Sequence, residues 1–216
     1  MHVTFWEYLG DNYTVLLQQS LVHIQLVGTS VGLAVVVGVL LGIVAHRSVL
    51  LRPTILNVTS TLLTIPSLAL FALLIPFVGI GNGAPIIALF LYALLPIVRN
   101  TVSGLRSVDP AIVQSARGMG ISAFGRLVRI ELPLAWPVIL TGIRVSTLLN
   151  VGIAAIAVLV GGGGLGQEIF RGIRSLGSPF APNLVYGGIL FIILIAMLFD
   201  AFFLVIGRLT TTRGVR

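Results

Sequence analysis

An all-α polytopic membrane fold is what this sequence predicts, on three observations. Mean hydropathy is +1.12, far above the soluble range, and 57% of the 216 residues are hydrophobic against 9% charged. Apolar runs of the length needed to cross a bilayer, about 20 residues at 1.5 Å each, recur between short polar breaks. Finally, all thirteen basic residues are arginines, lying between and beside the apolar runs rather than in one block with interleaved aromatics. That placement favours helix orientation and anionic lipid over nucleic acid. With no cysteine there is no disulfide framework, thiolate metal site or cysteine nucleophile.

Residues 1–20 form a mixed lead-in whose Phe5, Trp6, Tyr8 and Tyr13 read as interfacial anchors; an aromatic cage lacks an enclosing partner. Glu7 and Asp11 without an arginine do not make the basic start of a cleavable signal, so the first span is expected to stay. That span covers 21–45, with Gly28, Gly32, Gly38 and Gly42 as two small-xxx-small pairs for close helix packing. His23 near its start reads as a satisfied structural residue.

After a basic loop at His46, Arg47 and Arg52, a second span over 54–76 contains Pro66, whose missing backbone donor should kink it. Thr61, Thr64 and Ser67 surround the kink. Either they bond their own helix carbonyls or they line a polar path. VGIGNGAP at 78–85 is an uncharged turn, and a third span covers 86–98, extending past Arg99. A fourth runs over 134–160 and a fifth over 184–206. GGGGLG at 161–166 lacks the Lys-Ser/Thr of a phosphate loop, so it reads as a hinge or tight turn before a short external helix over 165–174.

The chain is thus one membrane domain over 21–216 with about five core helices, and a polar loop over about 100–133 interrupts it. An external N-terminus and a cytoplasmic C-terminus place ten arginines inside: 47, 52, 99, 106, 117, 126, 129, 208, 213 and 216. Arg171 and Arg174 fall outside, and Arg144 within a span.

The loop carries the most information. Asp109 can cap a helix that Pro110 begins, and Ala111, Ile112, Ser115, Ala116 and Met119 then recur on one face. Gly118 and Gly120 supply the flexible or left-handed positions that end it. Ser122 caps a second short helix expected to stop before Pro133, giving a hairpin outside the bilayer.

This pattern resembles the cytoplasmic loop of membrane subunits in binding-protein-dependent ABC importers, written E-A-A, three residues, Gly, nine residues, I-x-L-P. Here it reads Gln114-Ser115-Ala116, Arg117-Gly118-Met119, Gly120, then Ile130-Glu131-Leu132-Pro133. Gln114 and Ser115 depart from the family letters, which removes any contact needing a carboxylate at 114. TIPSLALFALLIPFVGIG, SARGMG, ELPLAWPVILTGIR and GGGGLGQEIFRGI extend the likeness to permeases of osmoprotectant importers for glycine betaine, carnitine, choline or proline.

The resemblance implies a type I importer permease fold with a cytoplasmic coupling hairpin. It also implies a second permease subunit, identical or homologous, two ATPase subunits that hold ATP and Mg, and an extracytoplasmic substrate-binding protein. No ATP-hydrolysis motif, metal-ligand spacing or serine elbow is present, so the chain reads as non-catalytic, with no cofactor or metal of its own. A permease for another small polar solute such as an amino acid is the nearest alternative. A secondary transporter or channel is a further one, with Pro66, Asn150, Arg144 and Asp200 at a midplane site.

Within the membrane, Thr61, Thr64, Pro66, Ser67, Ser146, Thr147 and Asn150 are the candidate path residues, flanking the breaks in spans two and four. Arg144 and Asp200 lie at matched depths, roughly 10–12 Å from the cytoplasmic boundary at 1.5 Å per residue. An unpaired charge there costs at least about 2.5–3.5 kcal/mol, which predicts pairing across spans four and five, with snorkelling of Arg144 as the other outcome.

Overall fold

The computed structural model describes residues 4–210, and the basic tail at Arg213 and Arg216 lies outside them. The helix α1 spans Phe5–Arg47 without a break, so the lead-in and the first span form a single rod. Its start is fixed by a capping box: the Thr4 hydroxyl accepts from the Glu7 N–H at 3.4 Å, while the Glu7 carboxylate accepts from the Thr4 N–H at 2.8 Å. At 1.5 Å per residue the rod is about 65 Å long, more than a bilayer with its headgroups. Of its aromatics, Trp6 and Tyr13 are exposed as interfacial anchors require, whereas Tyr8 is buried against other helices.

The expected second span is two helices, α2 (Leu51–Thr64) and α3 (Ser67–Val78), set at 98° to one another. Pro66 therefore breaks the segment rather than kinking it. The carbonyl of Ile65, left at the corner, accepts a 2.9 Å bond from the Tyr92 hydroxyl of α4 (Gly83–Arg106). That neighbour supplies what the missing helix turn cannot. The helix α4 runs well past Arg99 and packs between α1 and the helix α7 (Leu132–Ala154).

Of the two small-residue pairs on α1, only Gly38 and Gly42 serve packing within the chain. A Cβ at Gly38 would lie 2.9 Å from Ile97, and one at Gly42 would collide with Thr101, both on α4. Gly28 and Gly32 face open space.

Between α4 and α7 come α5 (Pro110–Gly118) and α6 (Ala123–Arg126). The second short helix does not stop before Pro133: a π-helical turn over Leu127–Glu131 carries it into α7. There the Leu132 N–H reaches back five residues to the Leu127 carbonyl. This wider turn makes room for a proline ring that an ordinary α-turn would press against the carbonyl four residues earlier. After α7 a 3-10 segment, Ala155–Val160, ends at left-handed Gly161 with φ +80°. Next come α8 (Gly166–Arg174) and α9 (Ala181–Thr210), the latter on the outside with little of its surface buried. Counting α2 and α3 together, the described residues hold five segments apolar and long enough to cross a membrane.

Candidate functional site

The loop between α4 and α7 is built as a hairpin by three local devices. Asp109 Oδ1 accepts from the Ala111 N–H at 2.8 Å, and Pro110 follows at the first helical position. Gly120 then turns the chain at φ +78°, a left-handed conformation that a β-branched residue resists. Gly118, by contrast, is the last residue of α5 with ordinary helical backbone. Across the turn the Ile121 N–H donates to the Ala116 carbonyl at 3.1 Å, and Ser122 Oγ accepts from the Gly125 N–H at 3.2 Å.

The hairpin is braced from α1. Arg47 places Nη2 3.2 Å from both carboxylate oxygens of Glu131, a buried residue in the π-turn. Arg52 donates to the carbonyls of Ala45 at 2.9 Å and His46 at 3.1 Å, which would otherwise be orphaned at the end of α1. Arg126 donates to the Ile121 carbonyl at 2.8 Å and stiffens the turn. Sequence reading passed over Glu131 although it sits inside the Ile130–Pro133 motif. Its signal is a carboxylate next to the apolar span, in a loop that carries Arg106, Arg117, Arg126 and Arg129 and only one other acid, Asp109.

Gln114, Ser115, Arg117, Gly118, Met119 and Gly120 are exposed, as is Pro133, while Ile130 and Leu132 are half-buried. Ala116 departs from the expectation of a contact face: it is 1% exposed, packed within its own chain. The apolar groups the hairpin presents outward are instead Met119, 72% exposed, Phe124, 75% exposed, and Ile112, 43% exposed. Phe124 lies beyond the face that helical spacing from Asp109 could define, because Gly120 redirects the chain.

The candidate path residues divide. Ser146 and Asn150 are buried and donate 2.8 Å bonds to the α4 carbonyls of Ala93 and Leu89, and Thr147 bonds the Ile143 carbonyl of its own helix. Ser146 and Asn150 thereby clamp α7 to α4, the nearest helix with carbonyls to accept their donors; all three side chains are buried and line no open path in this chain. Thr61, Thr64 and Pro66 are exposed at the α2–α3 corner, and Ser67 is half-buried. Both threonine hydroxyls return to carbonyls of their own helix, Asn57 at 2.9 Å and Thr61 at 2.7 Å.

Arg144 and Asp200 meet as a two-bond fork, Nε to Oδ1 at 2.6 Å and Nη2 to Oδ2 at 2.8 Å. Both side chains keep about a third of their surface exposed, 36% and 30%, in a groove between α7 and α9 rather than in the core.

At the opposite end, α8 is held by contacts that composition could not reveal. Buried Glu168 accepts from the Tyr8 hydroxyl at 3.0 Å and from Arg171 at 2.7 Å. His23 is buried with Nε2 3.0 Å from the Val151 carbonyl, while its Nδ1 is buried without a hydrogen-bond partner, so the expected satisfied histidine is only half satisfied. The glycine run spends its amides within the chain, Gly161 and Gly162 on the carbonyls of Val158 and Ala157, Gly163 on the Asn82 side chain and Gly164 on that of Gln19, so it acts as a turn. Among the described residues no three His, Cys, Asp or Glu side chains gather in a metal-binding group.

Comparison with known proteins gives this arrangement its family. Residues 34–211 match the model described as binding-protein-dependent transport system inner membrane component. The chain is 40% identical to the osmoprotectant import permease protein OsmW of Salmonella typhimurium, covering 97% of this chain and 98% of that one. It is 39% identical to the carnitine transport permease protein OpuCB of Listeria monocytogenes, over 92% and 88% of the two chains. The choline transport system permease protein OpuBB of Bacillus subtilis is 37% identical over 97% and 95%.

Among solved structures, an inward-facing form of the MetNI methionine ABC transporter superposes with a TM-score of 0.83 over 94% of this chain and 99% of that one. At 20% identity this likeness speaks for the fold, a type I importer permease. A multi-pass helical chain with the Gly120 hairpin, matched over most of its length by such permeases, belongs to the inner-membrane components of binding-protein-dependent transport systems.

Proposed function

We propose that this chain is the membrane-embedded subunit of an ATP-driven importer for a compatible solute of the glycine betaine, carnitine, choline or proline class. The observation that carries the proposal is the hairpin: a left-handed turn at Gly120 presents Met119 and Phe124 outward, and Arg47–Glu131 holds its base rigidly to α1. Exposed apolar groups on a braced, non-catalytic hairpin suit a partner that delivers mechanical work. That partner is a separate ATPase subunit, which binds ATP and Mg. The ligand class rests on the names of the permeases most similar over nearly the whole chain.

The translocation path then forms where two permease subunits, identical or homologous, face each other. The α2–α3 corner, with Thr61, Thr64 and Pro66 exposed and Ser67 half-buried, lines it, because threonine hydroxyls already bonded to their own helix offer the weak, exchangeable contacts that passage needs. Affinity resides in an extracytoplasmic binding protein. The N-terminus is outside and the C-terminus cytoplasmic, which puts the hairpin on the arginine-rich side.

Reconstitution of the chain with its ATPase and binding protein in liposomes tests this reading. Labelled glycine betaine, carnitine, choline and proline are supplied outside with ATP inside. Uptake of at least one of them should require both partners. Uptake of another amino acid alone would move the ligand class, and solute flux without any ATPase would overturn the importer.

A further inference from the structure

We infer that the groove between α7 and α9, on the arginine-rich side of the membrane, holds a phospholipid with an anionic headgroup. The two helices run antiparallel and are joined twice. Trp136 Nε1 donates to the Thr210 hydroxyl at 2.7 Å, and Arg144 forks onto Asp200 about 12 Å further along α7 at 1.5 Å per residue. Between the two junctions the helices do not close. A cavity of about 300 Å³ remains, bounded by Thr141, Arg144 and Arg208 on its polar side and by Leu140, Phe203 and Leu204 on its apolar side.

The charge in this cavity is unbalanced. Asp200 occupies Nε and one Nη2 hydrogen of Arg144, leaving the Nη1 donors unspent. Arg208 is exposed and makes no hydrogen bond or ion pair with another described residue. One carboxylate therefore faces two guanidinium groups. An anion with several oxygens completes the set.

What selects a lipid over a free anion is the apolar floor and its continuation. Deeper along the same helix pair a second trough, lined by Leu148, Ala196, Met197, Ala201 and Leu204 together with the Asp200 of the junction, shares Leu204 with the first. It is shaped for hydrocarbon and offers free phosphate nothing. α9 leaves Met197, Phe202 and Leu204 exposed on this outer side, so a lipid can enter sideways. Trp136, with its indole N–H anchored, stands at the level where such rings mark the headgroup boundary. Basic pockets between membrane helices recognise acidic headgroups on these terms. The inference rests on the chain's spanning the membrane and on its orientation, not on what it transports, so a failed uptake experiment leaves it standing.

The test is native mass spectrometry of the full chain in detergent, with phosphatidylglycerol and phosphatidylcholine of identical acyl chains added in parallel. Wild type should retain phosphatidylglycerol in preference. Arg208→Gln, which touches neither junction, should lower that retention about fivefold, the worth of one arginine near an anionic lipid. Ala201→Phe, which fills the trough, should also lower it, and inorganic phosphate should not displace the lipid. Equal retention of the two lipids, or an unchanged Arg208→Gln, overturns the inference. So does displacement by phosphate, or disulfide linking of two copies through Leu204→Cys, which would make the groove a protein interface.

Discussion

The guanidinium of Arg47 lies 3.2 Å from both carboxylate oxygens of Glu131, tying the last turn of α1 to the first turns of the α6–α7 helix across 84 residues of sequence. The contact is asymmetric. The Glu131 side chain is 5% exposed and that of Arg47 is 40% exposed, so the two ends of the pair have different alternatives in water.

Arg47→Met should therefore cost more than Glu131→Gln. The first strands a buried carboxylate, a loss of about 3–5 kcal/mol if the charge persists. The second keeps a hydrogen-bond acceptor and leaves an arginine that can turn to solvent, a loss of about 1 kcal/mol. Thermal unfolding in detergent ranks the two, and the reverse order would show that the pair does not brace the hairpin.

At the tip of the hairpin, Gly120→Val forces a β-branched residue to φ +78°, with no clash but with backbone strain of about 1–3 kcal/mol. Phe124→Glu alters an exposed side chain and should change stability by no more than about 0.5 kcal/mol. Both should reach the membrane yet lose ATPase co-purification or uptake. Ala116→Glu is a different test, because it buries a charge inside the hairpin and should unfold it locally. Full uptake with normal ATPase coupling in Gly120→Val and Phe124→Glu would remove the hairpin from the coupling role.

For Arg144 and Asp200, single replacements should hurt more than the double one. Asp200→Asn leaves an arginine at membrane depth without its partner, costing about 2.5–3.5 kcal/mol less whatever it recovers by snorkelling. Replacing both by methionine removes the charges together and should restore most of the loss. Folded yield of the two singles and the double decides it, and additive losses would mean the pair contributes no coupling.

Tyr92→Phe deletes the hydroxyl that serves the Ile65 carbonyl at the α2–α3 corner. The loss should be about 1–3 kcal/mol, since a carbonyl is left bare where no helix turn can reach it. Hydrogen exchange measured along the chain should show faster exchange over 60–70, with the α4–α7 contact unaffected. Uniform acceleration everywhere would mean that Tyr92 supports the core and not the corner.

How much of this was legible follows from the range over which each feature is decided. Membrane class, the five apolar segments and the Asp109, Pro110, Gly120 and Ser122 devices depend on hydropathy and on backbone rules acting over a few residues, so the sequence determined them by itself. The matched depths of Arg144 and Asp200 were legible for the same reason, as each depth is a count from the end of its own helix.

Other features needed the neighbours in place. Pro66 forbids a regular helix, but whether the chain bends or turns through 98° depends on what receives the Ile65 carbonyl, and that is Tyr92 on another helix. Pro133 looked like a stop until the π-turn before it absorbed the ring. Ser146 and Asn150 carry the same polar groups whether they face a channel or a helix, and only the packing of α4 against α7 placed Ala93 and Leu89 in front of them. Ala116 and Phe124 changed places as the outward group once Gly120 had turned the chain. A helix face is defined locally only by its period; which side of it is covered is decided by the elements that arrive from elsewhere in the sequence.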